Sequence, residues 1–210
     1  MIKTTTIPTM LLLAIGGTIS VPSAAQPAKT APRPGKTLDI AGIRPGMKTA
    51  DAVALLRRTG WTVTADPGNS WAEVVEEAIA RRRNQIPPTS ARSGVYNYNG
   101  VKGEETIRIN IVPTPDGGRV GVVGYRAPEA GRSYAEIRAE VIARYGPSIY
   151  GPRQGVLIAP QGKDGATISL EVDSTGMHLM LLPGSAADRE ARALVDRAVS
   201  ARLGAVGKSF

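Results

Sequence analysis

Thr106–Val112 reads TIRINIV and Arg119–Tyr125 reads RVGVVGY, with PTPDGG between them. In the first run Ile107, Ile109 and Ile111 alternate with Thr106, Arg108 and Asn110. Successive side chains on an extended chain point to opposite faces, so this alternation describes a strand with one dry face and one wet face. Pro115–Gly118 (PDGG) supplies a tight turn and makes the two runs an antiparallel hairpin. A sheet with one solvated face is characteristically antiparallel. The fold then depends on what covers the isoleucines.

Helical segments on both sides supply the cover. Ser70 and Glu73 form a Ser-x-x-Glu capping box ahead of Trp71, Val74, Val75, Ala78 and Ile79, which recur at helical spacing. Arg81, Arg82 and Arg83 fall in the last turn, where cations complement the free carbonyls, and Ile86-Pro87-Pro88 ends the helix. Ser133 and Glu136 repeat the box before Tyr134, Ile137, Val141 and Tyr145, and Gly146-Pro147 stops that helix. Upstream, Thr49 is placed to cap a helix over 50–59 with Val53 and Leu56 inward and Gly60 as a left-handed stop. A last helix is expected from Ser185, with Asp188 in the capping position, carrying Ala191, Leu194, Val195 and Ala198 inward and ending at Gly204.

Three further apolar runs, GVLIA (155–159), ATISLEV (166–172) and GMHLMLL (176–182), are separated by the turns QGKDG and DSTG and predict a meander. TLDI (37–40) and WTVTA (61–65) are shorter strand candidates, and DPGN (66–69) reads as a turn. The expected fold class is α+β: an antiparallel sheet of about five to seven strands packed on one face by helices, with room for two similar halves.

The N-terminus reads as a signal peptide over residues 1–25. A basic start, MIK, precedes an apolar run broken by Pro8, Gly16 and Gly17, and Ser23-Ala24-Ala25 supplies the small residues of a cleavage site. That run is shorter than the roughly 20 apolar residues a membrane span needs. Residues 26–36, QPAKTAPRPGK, read as a disordered, mildly basic linker, residues 37–204 as a single domain and 205–210 as a tail. The implied localisation is periplasmic or secreted, with no membrane span after cleavage. The chain has no cysteine, which excludes disulfides, thiolate chemistry and a lipid-acceptor cysteine. The net charge of +8 becomes 8 − 1 = +7 once Lys3 is removed. An exported protein of that charge meets anionic envelope polymers or other envelope proteins, and export speaks against a nucleic-acid role.

Catalytic patterns are missing from the sequence. The one histidine, His178, shares a strand face with Met180 and Leu182, and no nucleophile motif accompanies it. No His/Asp/Glu cluster has metal spacing, and no cofactor is implied. Glu73, Glu76 and Glu77 suit a helix N-terminus, and Glu104-Glu105 guards a strand end. The candidate binding region is Gln85–Lys102, long, polar and basic, with Arg92, Tyr96 and Tyr98, next to Arg81, Arg82 and Arg83. The same segment also reads as an edge strand, GVYNY, turned at Asn99-Gly100, with its tyrosines covering a sheet face, and the hairpin signal favours that reading.

Gly42-Ile43-Arg44-Pro45-Gly46-Met47, a short helix and then Gly60-Trp61, resembles the opening of small bacterial envelope proteins of the BamE/SmpA-like and β-lactamase-inhibitor-like kinds. The stretch ARYGPS, Ala143–Ser148, is similar to a helix ending in the same proteins. The resemblance implies a helix pair on an antiparallel sheet and a role in protein binding rather than catalysis. Pro45-Gly46 itself reads as a type II turn, with Met47 packed beneath the helix, rather than as a phosphate loop. The expected function is a non-catalytic envelope protein that binds another protein. A binder of anionic polymer and a carboxylate-dependent hydrolase are the alternatives.

Export makes the first prediction. The mature chain from fractionated cells should begin at Gln26, in the periplasmic or culture fraction, by intact-mass measurement. A mass that includes residues 1–25, found with membranes, would show the segment to be an anchor.

Overall fold

The computed structural model describes residues 37–89, 92–147, 156–158, 162, 164–173 and 176–206. The expected signal peptide (1–25), linker (26–36) and end of the tail (207–210) lie outside the described residues. The elements run α1 (Thr49–Arg58), β1 (Thr62–Gly68), α2 (Trp71–Arg82), β2 (Gly94–Lys102), β3 (Glu105–Val112), β4 (Arg119–Ala127), α3 (Tyr134–Tyr145), β5 (Val156–Ile158), β6 (Thr167–Asp173), β7 (Gly176–Leu182) and α4 (Ser185–Val206). The strands form one antiparallel sheet in the order β1-β2-β3-β4-β7-β6-β5, with the three-residue β5 at one edge. The α+β class expected from the sequence is thus the observed one.

The order has a physical logic. β1 to β4 form one meander and β5 to β7 another, and the last strand of each meets the other, Val123 opposite Leu181 and Tyr125 opposite Leu179. One face of this joined sheet carries the core. Ile107, Ile109, Ile111, Val123, Leu170, Leu179 and Leu181 are buried there against Ala52 and Leu56 of α1 and Ile137 and Val141 of α3. Each buried isoleucine contributes roughly 1.5–3 kcal/mol over its exposed state. A second, small cluster joins α2 to α4 through Val75, Ile79 and Val199. Two ion pairs, Arg82–Asp196 at 2.6 Å and Arg202–Glu76, tie the same helices together.

Local signals decided the helix starts. Both capping boxes form: Ser70 and Ser133 accept from the Glu73 and Glu136 N–H groups, and the two glutamates reach back. The Ser70 N–H, donating at 2.6 Å, is the main reason the Glu73 carboxyl falls from 4.5 to about 2. Gly60 takes φ 88° and Gly146 φ 98° at the helix ends, as expected. The opening turn also holds. Gly46 has φ 77°, and the Met47 N–H donates to the Arg44 carbonyl at 3.3 Å. Its role is to fasten the chain to β4: the Gly46 N–H donates to the Val120 carbonyl at 2.7 Å, and the Val120 N–H to the Met47 carbonyl at 2.9 Å.

Several expectations are corrected. TLDI forms no strand, although Leu38 and Ile40 are buried and Ile40 bridges Ile43. Thr49 lies inside α1 rather than capping it, and Lys48 is the N-cap. DPGN is no turn, because β1 continues through Gly68 across a bulge that leaves Tyr96 unpaired with β1. Asn99-Gly100 lies in mid-strand, and the hairpin turns at Gly103 (φ 60°) and Glu104 instead. β2 is accordingly an inner strand between β1 and β3, not an edge. The reason is packing: a side chain at 100 would meet Ile107 at 2.7 Å and Trp61 at 3.3 Å. α4 runs past Gly204 to Val206, and Val199, not among the expected inward residues, is its buried one. Tyr134, expected inward on α3, is 38% exposed.

Gly46 permits a clean test. No atom lies within 4 Å of an added Cβ there, so Gly46→Ala brings strain without a clash. It should cost about 1–2 kcal/mol in urea unfolding. An unchanged midpoint would refute the turn's role.

Candidate functional site

The six residues nominated from the sequence do not come together. Arg81 pairs with Glu77 at 2.5 Å on α2, Arg82 pairs with Asp196 of α4, and Arg83 is the exposed C-cap of α2. Arg92 is exposed in the loop before β2. Tyr98 packs partly against the main core and lines a groove beside α1 with Val53, Ala54 and Arg57. Tyr96 is 55% exposed at the bulge. The carboxylates of α2 are also occupied, Glu73 in its capping box, Glu76 by Arg202 and Glu77 by Arg81.

On the helix side, a cleft of about 350 Å³ opens between α1 and α3. Trp61, Tyr125, Met177 and Leu179 line it with Tyr145, and Lys102, Glu105, Glu140 and Arg144 add charged groups. The rings of Trp61 and Tyr125 meet edge to face, 6.4 Å apart. The polar groups here serve the fold. Arg144 pairs with Asp39 at 3.3 Å and lies 5.2 Å from the Tyr145 ring centre, and Glu140 pairs with Arg132 at 2.8 Å. The Lys102 amine donates to the Thr59 carbonyl at 3.0 Å. Burial, reinforced by the Glu105 carboxylate, pushes the Tyr125 phenol up to about 12. It is therefore a protonated donor at neutral pH, not a base.

The opposite face of the sheet has no helical cover among the described residues. Register places its side chains in rows across the strands. One row runs Thr62, Val101, Thr106, Arg126, His178 and Glu171; the next runs Thr64, Asn99, Arg108, Gly124, Met180 and Ser169. Val101 is 48% exposed, Met180 47% and Leu182 38%. His178 lies on this open face, half-buried beside Arg126, with Arg126 Nη2 at 3.5 Å from its Nδ1.

Toward β1 the open face is polar and ordered. Asn97 is 2% exposed, and with its amide assigned the orientation that suits its neighbours, the oxygen accepts from the Arg108 guanidinium at 2.6 and 3.2 Å and the nitrogen donates to the Tyr96 carbonyl at 3.2 Å. Asp66 accepts from the Asn99 amide at 2.9 Å and lies 3.9 Å from Arg108. The Asn99 hydrogen bond is the main reason the Asp66 carboxyl sits below its usual range. The network draws the Arg108 side chain over β2, away from β4. Toward β7 the face turns apolar, with Met180 and Leu182.

Alternation in the sequence marked Arg108 and Asn110 as outward and grouped Met180 and Leu182 with His178 on one strand face, without showing that this face is the open one. It gave no sign that Asp66, read as a turn residue, joins Asn97 and Arg108. No group of three potential metal ligands occurs among the described residues, and no helix there is long and apolar enough to cross a membrane. Compared with family models, curated proteins and solved structures, the chain matches none.

The Tyr125 phenol gives the cleft a titration signature. A proton held more tightly in the folded state stabilises the fold fully below pH 10, and that contribution is lost as pH rises from 10 toward 12. Melting of the parent should fall across that window, and Tyr125→Phe should fall less. Identical alkaline profiles would refute the assignment.

Proposed function

We propose that this protein is a non-catalytic, exported envelope protein that binds another protein through the open face of its sheet. The observation that carries this reading is the one-sided cover. Helices α1 and α3 bury one face, while the other leaves Val101, Met180 and Leu182 exposed beside an ordered polar network. Met180 and Leu182, two residues apart on β7, form an exposed apolar pair with polar side chains around it, the composition of a contact surface. The sequence supports export through its N-terminal segment and binding through the lack of a catalytic pattern.

A hydrolytic reading has one observation in its favour: Glu105 and Glu140 line the same cleft and both bear on Tyr125. Its weakness is that Glu140 is already tied to Arg132 and two-thirds exposed, at 68%. Loss of a measured hydrolase activity in both Glu105→Gln and Glu140→Gln would establish it.

Site-specific photocrosslinking in living cells tests the binding reading. A crosslinker at Met180, on the open face, should capture one reproducible protein, and one at Ala139, on α3, should not. Capture from Ala139 alone, or from neither site, would overturn it.

A further inference from the structure

The cleft between α1 and α3 has a volume of about 350 Å³. That is the small end of the range for ligand pockets, roughly 300–1,000 Å³. Its floor is apolar and fixed: Trp61, Met177 and Leu179 are 6%, 8% and 7% exposed. Four charged side chains line it, two of each sign, and they differ in what they meet. Glu140 is paired with Arg132 at 2.8 Å and Arg144 with Asp39 at 3.3 Å, so the protein itself neutralises both. Lys102 and Glu105 enter none of the ion pairs among the described residues. The bond from the Lys102 amine to the Thr59 carbonyl uses one of its three N–H groups and cancels none of its charge. Glu105 bears on the Tyr125 phenol, which is protonated at neutral pH and brings no positive charge.

These two residues have every opportunity to pair with each other. They flank the Gly103-Glu104 turn and stand directly opposite in the register of β2 and β3. Both lie on the face of Gly100 and Ile107, two residues along each strand, which is the core face. Opposed residues of this kind carry their Cβ atoms about 4.5–5.5 Å apart, and opposite charges there attract. Instead the amine reaches to Thr59, the C-cap of α1, while the carboxylate serves Tyr125 on β4. The cleft therefore presents one uncompensated cation and one uncompensated anion, held apart beside an apolar floor.

We propose that this cleft binds a free α-amino acid with an apolar side chain, its carboxylate meeting Lys102, its ammonium meeting Glu105 and its side chain lying on Met177 and Leu179 beside Trp61. The two charges of an α-amino acid sit on a single carbon, which suits two protein charges one cross-strand spacing apart. A lone cation or anion would leave one of the protein charges unmet, and a neutral apolar molecule would leave both. A peptide separates its terminal charges by at least one further residue, about 3.3–3.6 Å of extended chain. The site lies on the other side of the sheet from the open face, so it goes beyond the protein-binding reading and does not rest on it.

The test is a titration of L-leucine into the full chain, followed by calorimetry and by backbone amide resonances. Leucine should bind at about millimolar concentration or below and shift Lys102, Glu105, Tyr125 and Leu179. Leucinamide lacks the carboxylate, N-acetylleucine the ammonium and glycine the apolar body, and each should bind at least about tenfold more weakly. Lys102→Gln should weaken leucine by a similar factor and leave leucinamide unchanged. Glu105→Gln should weaken leucine and leave N-acetylleucine unchanged. Lys102 is exposed, so its variant should melt like the parent and decides the matter even if Glu105→Gln disturbs the fold. The proposal is overturned if leucine causes no shift at millimolar concentration, or if leucinamide or N-acetylleucine binds as tightly as leucine. It is equally overturned if Lys102→Gln binds leucine like the parent, or if the dipeptide Leu-Leu binds more tightly than leucine. None of these outcomes bears on the crosslink at Met180, which tests the open face alone.

Discussion

The pairing of β4 with β7 is the interaction on which the rest depends. Each meander alone would be a small sheet with an unpaired strand at its inner edge. Joined, they place Val123 against Leu181 and Tyr125 against Leu179, and the two apolar faces become one. Only then can α1, from the first meander, and α3, from the second, share a core of buried residues. The remaining edges are poor templates. β1 carries Pro67 near its end, opposite a bulge in β2, and β5 is three residues long.

That junction explains which parts of the fold were legible. The capping boxes at Ser70 and Ser133, the stops at Gly60 and Gly146 and the alternation of Ile107, Ile109 and Ile111 involve residues within a few positions of each other. Their physics is complete in the local sequence. Asn99-Gly100 misled because its turn propensity is local while its actual role is not: Gly100 is bare so that Ile107 and Trp61 can pack over β2. Asp66-Pro67-Gly68 misled in the same way. Glycine at 68 permits the close approach of Tyr96, the bulged residue of β2 opposite the Asp66-Pro67 step. In both places tertiary packing overrode a short-range preference.

The candidate surface was legible only in part, for a related reason. Alternation tells which side chains face outward, but not which outward residues are neighbours across strands. Arg126 and His178 are adjacent in space and far apart in sequence, and so are Asp66, Asn97 and Arg108.

The two faces of the sheet spend their polar groups differently. On the helix side, Asp39, Glu140, Arg132, Arg144 and Lys102 are tied to neighbours that hold helices and loops in place. Exposed ion pairs of this kind contribute little stability each, about 0–1 kcal/mol, but they fix geometry and leave few charges uncommitted. The arginines are only partly committed: Arg81, Arg82, Arg108, Arg119, Arg132, Arg144 and Arg202 have carboxylate partners within 4 Å, while others among the described residues, such as Arg57, Arg58 and Arg126, are in none of these pairs. On the open face the network around Asp66 is satisfied at one end, while Arg126 and the apolar side chains of Met180 and Leu182 are not covered at the other. Strand pairing fixes the backbone positions of both ends of that face, which is the ground on which the proposed binding reading prefers it to the deeper cleft.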